Sequence, residues 1–112
     1  LPRRVGGARA GAGMLLGDRM TAEQALGFGM IWAVHEPERL LSEAEALALR
    51  LAALPTTALG LIKRAVNASL ASDLDEQLDR ERDLQVLAGR THDYAEGVKA
   101  FLEKRKARFT GR

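Results

Sequence analysis

The sequence predicts a mainly α fold with one short strand whose sheet lies outside the chain. Three observations carry this. Apolar residues recur at spacings of three and four along the last three quarters of the chain. Thr, Asp and Gly stand where helices would be capped and stopped. One apolar run of strand length, Met30-Ile31-Trp32-Ala33-Val34, lies between Gly29 and His35-Glu36-Pro37.

In chain order, residues 8–16 are small and apolar in helical proportion, and Gly17 is a natural stop. Thr21 with Gln24 three residues on matches a capping box, so a helix of about two turns follows before Gly27 and Gly29 break it. The 30–34 strand has no partner in the sequence, and a lone strand leaves its N–H and C=O groups unpaired. Its partners are therefore expected on another part of the chain or on a neighbouring subunit. After Pro37, Leu40, Ala44, Leu47, Leu51 and Leu54 form one stripe that Pro55 ends. Thr56 or Thr57 can cap the next helix, with the stripe Leu59, Ile62, Val66, Ser69 and Leu70. Ser72 or Asp73 starts a third long helix, Asp73 and Glu76 being at capping-box spacing. Its stripe of Leu74 and Leu78 meets Glu81, a carboxylate that needs a partner if buried, and an arginine is expected. Gly89 ends this helix, Thr91 caps the last one, and Tyr94, Val98, Phe101 and Leu102 give its apolar face. Residues 109–112 lack periodicity and read as extended or frayed.

The composition, 46% hydrophobic and 29% charged in 112 residues, is that of one globular domain with a small core. The chain begins at Leu1 without a methionine and reads as an excised piece. With no cysteine there are no disulfides, thiolate nucleophiles or cysteine-bound metals, which suits a reducing cytoplasm. No apolar run is long enough for a bilayer, so no membrane partner is expected. The net charge of +2 argues against nucleic acid, but residues 96–112 hold six basic side chains against two acidic ones. Such a local excess favours an anionic group such as phosphate, or else simply complements a helix C-terminus.

Few residues are candidates for chemistry. Phe101 and Lys104, three apart, would share a helix face and offer an aromatic ring beside an ammonium; the plainer alternative is a core Phe101 and a solvated Lys104. Trp32, the one tryptophan, either lines a pocket or fills the joint between strand and helices. His35 and His92 are far apart and flank predicted elements, so turn or cap roles outweigh metal binding, and no metal is expected. The acids fall on helix caps and polar faces, and none reads as catalytic.

Five strings, in order, resemble the C-terminal part of the crotonase superfamily, the enoyl-CoA hydratases and isomerases. They are Leu1-Pro2-Arg3-Arg4-Val5-Gly6, the stretch from Gly17-Asp18-Arg19-Met20-Thr21 to Gly29-Met30-Ile31, Leu59-Gly60-Leu61-Ile62-Lys63-Arg64-Ala65-Val66-Asn67, Glu96-Gly97-Val98-Lys99-Ala100-Phe101-Leu102-Glu103-Lys104-Arg105, and Phe109-Thr110-Gly111. Together they cover essentially the whole chain. Gly29-Met30-Ile31-Trp32, Leu59-Gly60-Leu61-Ile62-Lys63, Glu81-Arg82-Asp83 and Leu87-Ala88-Gly89-Arg90 are similar to the branch that isomerises the ring epoxide of phenylacetyl-CoA; a general enoyl-CoA hydratase is the nearest competitor.

The resemblance implies the helical end of a ββα-spiral fold. Residues 1–35 would close its core, and residues 36–112 would form a helical trimerisation region. It implies an acyl-CoA substrate with no separate cofactor, and a homo-oligomer that is a trimer or a dimer of trimers. Catalytic residues would lie upstream of Leu1, Phe101 and Lys104 would contact coenzyme A, and Trp32 would be a candidate wall of the acyl pocket. A reading from another class is a stand-alone helical interaction or nucleic-acid-binding module, with residues 21–29 opening a helix-turn-helix and the basic tail clamping phosphate.

Overall fold

The computed structural model describes all 112 residues and holds seven helices and no strand. They fall into two compact units, Leu1–Ala44 and Glu45–Arg112. No single helix is long and apolar enough to cross a membrane.

In the first unit, α1 (Pro2–Val5) and α2 (Gly7–Leu16) pack against each other and bury Val5 and Ala10. α1 is an addition to the expected elements; Pro2 at its start sets a helical φ, and Gly6 at φ 82 separates it from α2. Gly17, at φ 68, stops α2 in the left-handed conformation that its position suggests. α3 (Ala22–Gly27) carries the full capping box. The Gln24 N–H donates to Thr21 Oγ1 at 3.2 Å, and the Thr21 N–H donates to Gln24 Oε1 at 2.9 Å.

Residues 30–34 run as a bend and irregular backbone, so the expected strand does not form within this chain. The apolar run is there, but a strand exists by pairing, and no other segment is paired with it. Instead Met30 donates its N–H to Ala25 O and closes the end of α3.

α4 (Pro37–Ala52) starts at the expected proline and spans the boundary between the units. In the second unit α5 (Thr56–Ser69) packs on α6 (Leu74–Gly89), and α6 on α7 (His92–Leu102). Asp73 and Thr91 cap α6 and α7, accepting the N–H groups of Glu76 at 2.9 Å and Tyr94 at 3.1 Å. The threonine cap expected for α5 is absent: Pro55 holds the N-cap position, and the Thr57 hydroxyl donates to Gly111 O at 2.6 Å.

The packed faces differ from the expected stripes. On α5 the half-buried residues are Ala58, Leu59, Leu61, Ala65 and Ala68, whereas Ile62, Val66 and Leu70 stay exposed. On α6 the buried line is Gln77, Leu84 and Ala88, with Leu74 and Leu78 outside it. Alanines let two helices approach closely, and the larger side chains flank an open groove lined by Ile62, Val66 and Leu84. Within the chain Glu81 meets no arginine; it accepts from Gln77 Nε2 at 2.7 Å and is exposed, so here it needs no cation.

Few side chains are enclosed: the buried set is Val5, Ala10, Leu84, Ala100 and Asp93. The chain exposes 9174 Å², where a self-contained protein of its 12.2 kDa would expose about 6,100 Å².

Candidate functional site

The site is built by the turn that ends α7. Its last residue is Leu102, so Lys104 lies beyond the helix and not on the face it was expected to share with Phe101. Lys104 is the one non-glycine residue with positive φ, at 52. Its N–H donates to Phe101 O at 3.2 Å, and the Arg105 N–H donates to Ala100 O at 3.0 Å, the paired bonds of a Schellman turn. The end of α3 is built the same way, with Gly29 (φ 72) at the left-handed position and its N–H on Leu26 O at 2.9 Å. A side chain in that conformation costs roughly 1–2 kcal/mol, which the surroundings must offset. Lys104 thus follows Phe101 through a hydrogen-bonded turn. Phe101 is 82% exposed, against a core role, and Lys104 makes no ion pair.

Glu96, two turns back on α7, organises the residues after the turn. Its carboxylate receives a two-pronged bond from the Arg105 guanidinium, Nη1 at 2.7 Å and Nη2 at 2.9 Å, and also the Arg108 N–H at 2.8 Å. Arg105 Nε donates to Glu103 Oε2 at 2.6 Å. Arg105 first, then the Arg108 N–H, holds the Glu96 carboxyl down at about 2, and Glu96 and then Glu103 raise the Arg105 guanidinium above its ordinary value. Arg105 is therefore neutralised by its neighbours, and Lys104 and Lys106 on either side of it make no ion pair.

Asp93, one turn before Glu96, was not singled out by the sequence, yet it is the buried charged residue of the chain, 2% exposed. Its carboxylate accepts the Thr110 N–H at 2.7 Å, the Gly111 N–H at 2.7 Å and the Thr110 hydroxyl at 3.2 Å. Its own N–H, free at a helix start, donates to the Arg112 main-chain oxygen at 2.9 Å. Burial pushes the Asp93 carboxyl up, but the Thr110 and Gly111 donors and His92 outweigh it and leave it below its ordinary value. Residues 109–112 are thus extended but tied down rather than frayed. Phe109 lies against Gly97, and Gly111 takes the positive φ of 81 that the strap needs. The signals available were Asp93 next to a capping threonine and a glycine in the tail.

Trp32 belongs to the first unit and is 77% exposed, so it does not fill a joint within this chain. Arg9 stacks its guanidinium 4.7 Å over the Phe28 ring nearby in sequence. His92 is the first residue of α7, with Nδ1 3.6 Å from Asp93 Oδ1, while Thr91 provides the cap. Four of the acids are engaged structurally: Asp73 caps α6, Asp79 and Asp83 pair with Arg82, and Glu43 pairs with Arg39. The end of α7 thus brings together an exposed aromatic ring, a lysine whose backbone is fixed by a turn, and a surplus of cations.

This helical architecture belongs to the enoyl-CoA hydratase/isomerase family, whose model matches residues 1–112. Among individual relatives, the chain is 54% identical over 112 residues to the 1,2-epoxyphenylacetyl-CoA isomerase of Escherichia coli strain K12, covering 100% of this chain and 43% of that protein. To the crotonyl-CoA hydratase of Syntrophomonas wolfei it is 38% identical over 109 residues, covering 97% of this chain and 42% of the other. A solved enoyl-CoA hydratase subunit from Geobacillus kaustophilus superposes with a TM-score of 0.96 at 40% identity, over 99% of this chain and 43% of that one. The chain therefore spans less than half the length of the relatives it matches.

Proposed function

We propose that this chain is the C-terminal helical part of a CoA-thioester isomerase that acts on the ring epoxide of phenylacetyl-CoA. The observation that carries this is the 54% identity to the isomerase across the whole chain, against 38% to the crotonyl-CoA hydratase. A fatty-acyl enoyl-CoA hydratase is the second reading, favoured by the hydratases among the relatives. On either reading the reaction needs donors for a thioester oxyanion and a carboxylate placed to move a proton, both supplied N-terminal to Leu1. The 112 residues alone would be inactive.

In this reading residues 1–35 close the catalytic core, with Trp32 as a wall of the acyl pocket, and residues 36–112 supply oligomer contacts. The surface in excess of a self-contained protein, about 3,000 Å², is available both to the N-terminal part of the protein and to neighbouring subunits. Exposed Leu40, Leu41, Ile62, Val66 and Leu70 give it apolar character. A trimer or a dimer of trimers in the cytoplasm would cover it. Phe101 would lie against the adenine of coenzyme A and Lys104 against a phosphate, with no further cofactor. The helix-turn-helix alternative loses its support, because residues 30–34 form no recognition helix.

The test is turnover by the intact protein of the phenylacetyl-CoA ring epoxide against hydration of crotonyl-CoA. Preference for the epoxide supports the isomerase, and preference for crotonyl-CoA supports the hydratase. Lys104→Ala should weaken coenzyme A binding at low salt; unchanged affinity would overturn the contact.

A further inference from the structure

Lys104 stands where the chain's own equivalent turn uses glycine, and it has no partner of its own. Its two neighbours in sequence are both fixed. Glu103 and Arg105 are bonded to each other, and Arg105 is forked onto Glu96 of α7, which also holds the Arg108 N–H. Only the Lys104 side chain in this turn is left free to reach outward. We propose that Glu96 and Arg105 are positioning residues, a clamp that keeps the left-handed turn closed so that the Lys104 ammonium is already set for the anionic ligand.

The inference rests on the reading that Lys104 meets a phosphate of coenzyme A. Three features fit a positioning role better than a solely structural one. The clamp closes over the strained residue and not over an apolar contact. Its bidentate geometry fixes direction as well as distance, which a single ion pair would not. It also neutralises Arg105, so that of its two unpaired neighbours, Lys104 and Lys106, Lys104 is the one whose backbone the closed turn fixes.

The experiment measures binding of coenzyme A to the intact protein at low salt, in wild type, Lys104→Ala, Glu96→Gln and the double variant. Lys104→Ala should weaken binding about tenfold, the ordinary worth of one phosphate contact. Glu96→Gln, nearly isosteric, should weaken it about threefold or more in wild type and have no further effect once Lys104 is alanine. Arg105→Met repeats the test from the other side of the clamp, and thermal unfolding of each variant checks that it is folded. An unchanged affinity for Lys104→Ala overturns the phosphate contact itself. A loss for Lys104→Ala with none for Glu96→Gln or Arg105→Met overturns the clamp alone. Equal losses for Glu96→Gln with and without Lys104 also overturn it, by showing a general structural effect.

Discussion

Gly111→Ala tests the account of the C-terminal strap most directly. Two separate costs meet at this position. The residue has φ 81, where a side chain costs roughly 1–2 kcal/mol. A Cβ built there would lie 2.6 Å from Thr56 Oγ1 at the start of α5, an overlap that must be relieved by moving the strap or the helix end. Overpacking of that kind costs roughly 1–3 kcal/mol, so the sum is about 2–5 kcal/mol. The two parts separate in a double-mutant cycle with Thr56→Ala, which removes Oγ1 and leaves the Thr56 Cβ position at an ordinary 3.9 Å. In that background only the backbone cost of about 1–2 kcal/mol should remain. Urea unfolding of the 112-residue chain gives the global figure, which is capped by the free energy with which the strap docks. Amide exchange at Thr110 and Gly111, the two N–H groups on Asp93, reports the strap itself. Stability within about 0.5 kcal/mol of wild type, with unchanged exchange at both amides, would refute the reasoning. A cost that Thr56→Ala does not reduce would refute its steric half.

Other outcomes follow from the same contacts. Thr21→Ala removes the Oγ1 acceptor of the Gln24 N–H, leaves the Thr21 N–H on Gln24 Oε1, and should cost about 1 kcal/mol, seen as faster amide exchange across α3. Glu96 titrates near 2 when folded against an ordinary 4.5, so its contribution is complete above about pH 4.5 and is lost as pH falls towards 2. Glu96→Gln should therefore flatten that part of an acid unfolding curve, and an unchanged acid limb would contradict the Glu96–Arg105 pairing. Gly97→Ala should stabilise the chain by about 0.5–1 kcal/mol in thermal unfolding, from helix propensity. Its Cβ would meet the Phe109 ring at an ordinary 3.6 Å.

Helix ends were the most legible part of this sequence. Thr21, Asp73 and Thr91 act within one turn of the backbone they cap, so adjacent residues suffice to reveal them. Packing faces were less so. The stripe Leu59, Ile62, Val66 selects the largest apolar residues, whereas α5 meets α6 through its alanines, a choice set by how closely two helices approach. The strand could be read as an apolar run but not as a structure, because its hydrogen bonds belong to a partner. Asp93 and Arg105 stayed hidden for a related reason: their partners lie 17 and nine residues away, beyond any helical period. Phe101 and Lys104 do not share the expected helix face; a main-chain bond of the turn links them, and the turn was not legible because Lys104 lacks the glycine signal that normally marks a left-handed residue.

The strap after α7 is held mainly through its peptide groups. Thr110, Gly111 and Arg108 are gripped by their N–H groups and Arg112 by its oxygen, with Arg105 as the main side-chain anchor. Side chains at 106, 107 and 108 are therefore free to drift among relatives while the path of the strap persists. Proline at 108, 110 or 111 removes the group being gripped and should be excluded where other residues are tolerated.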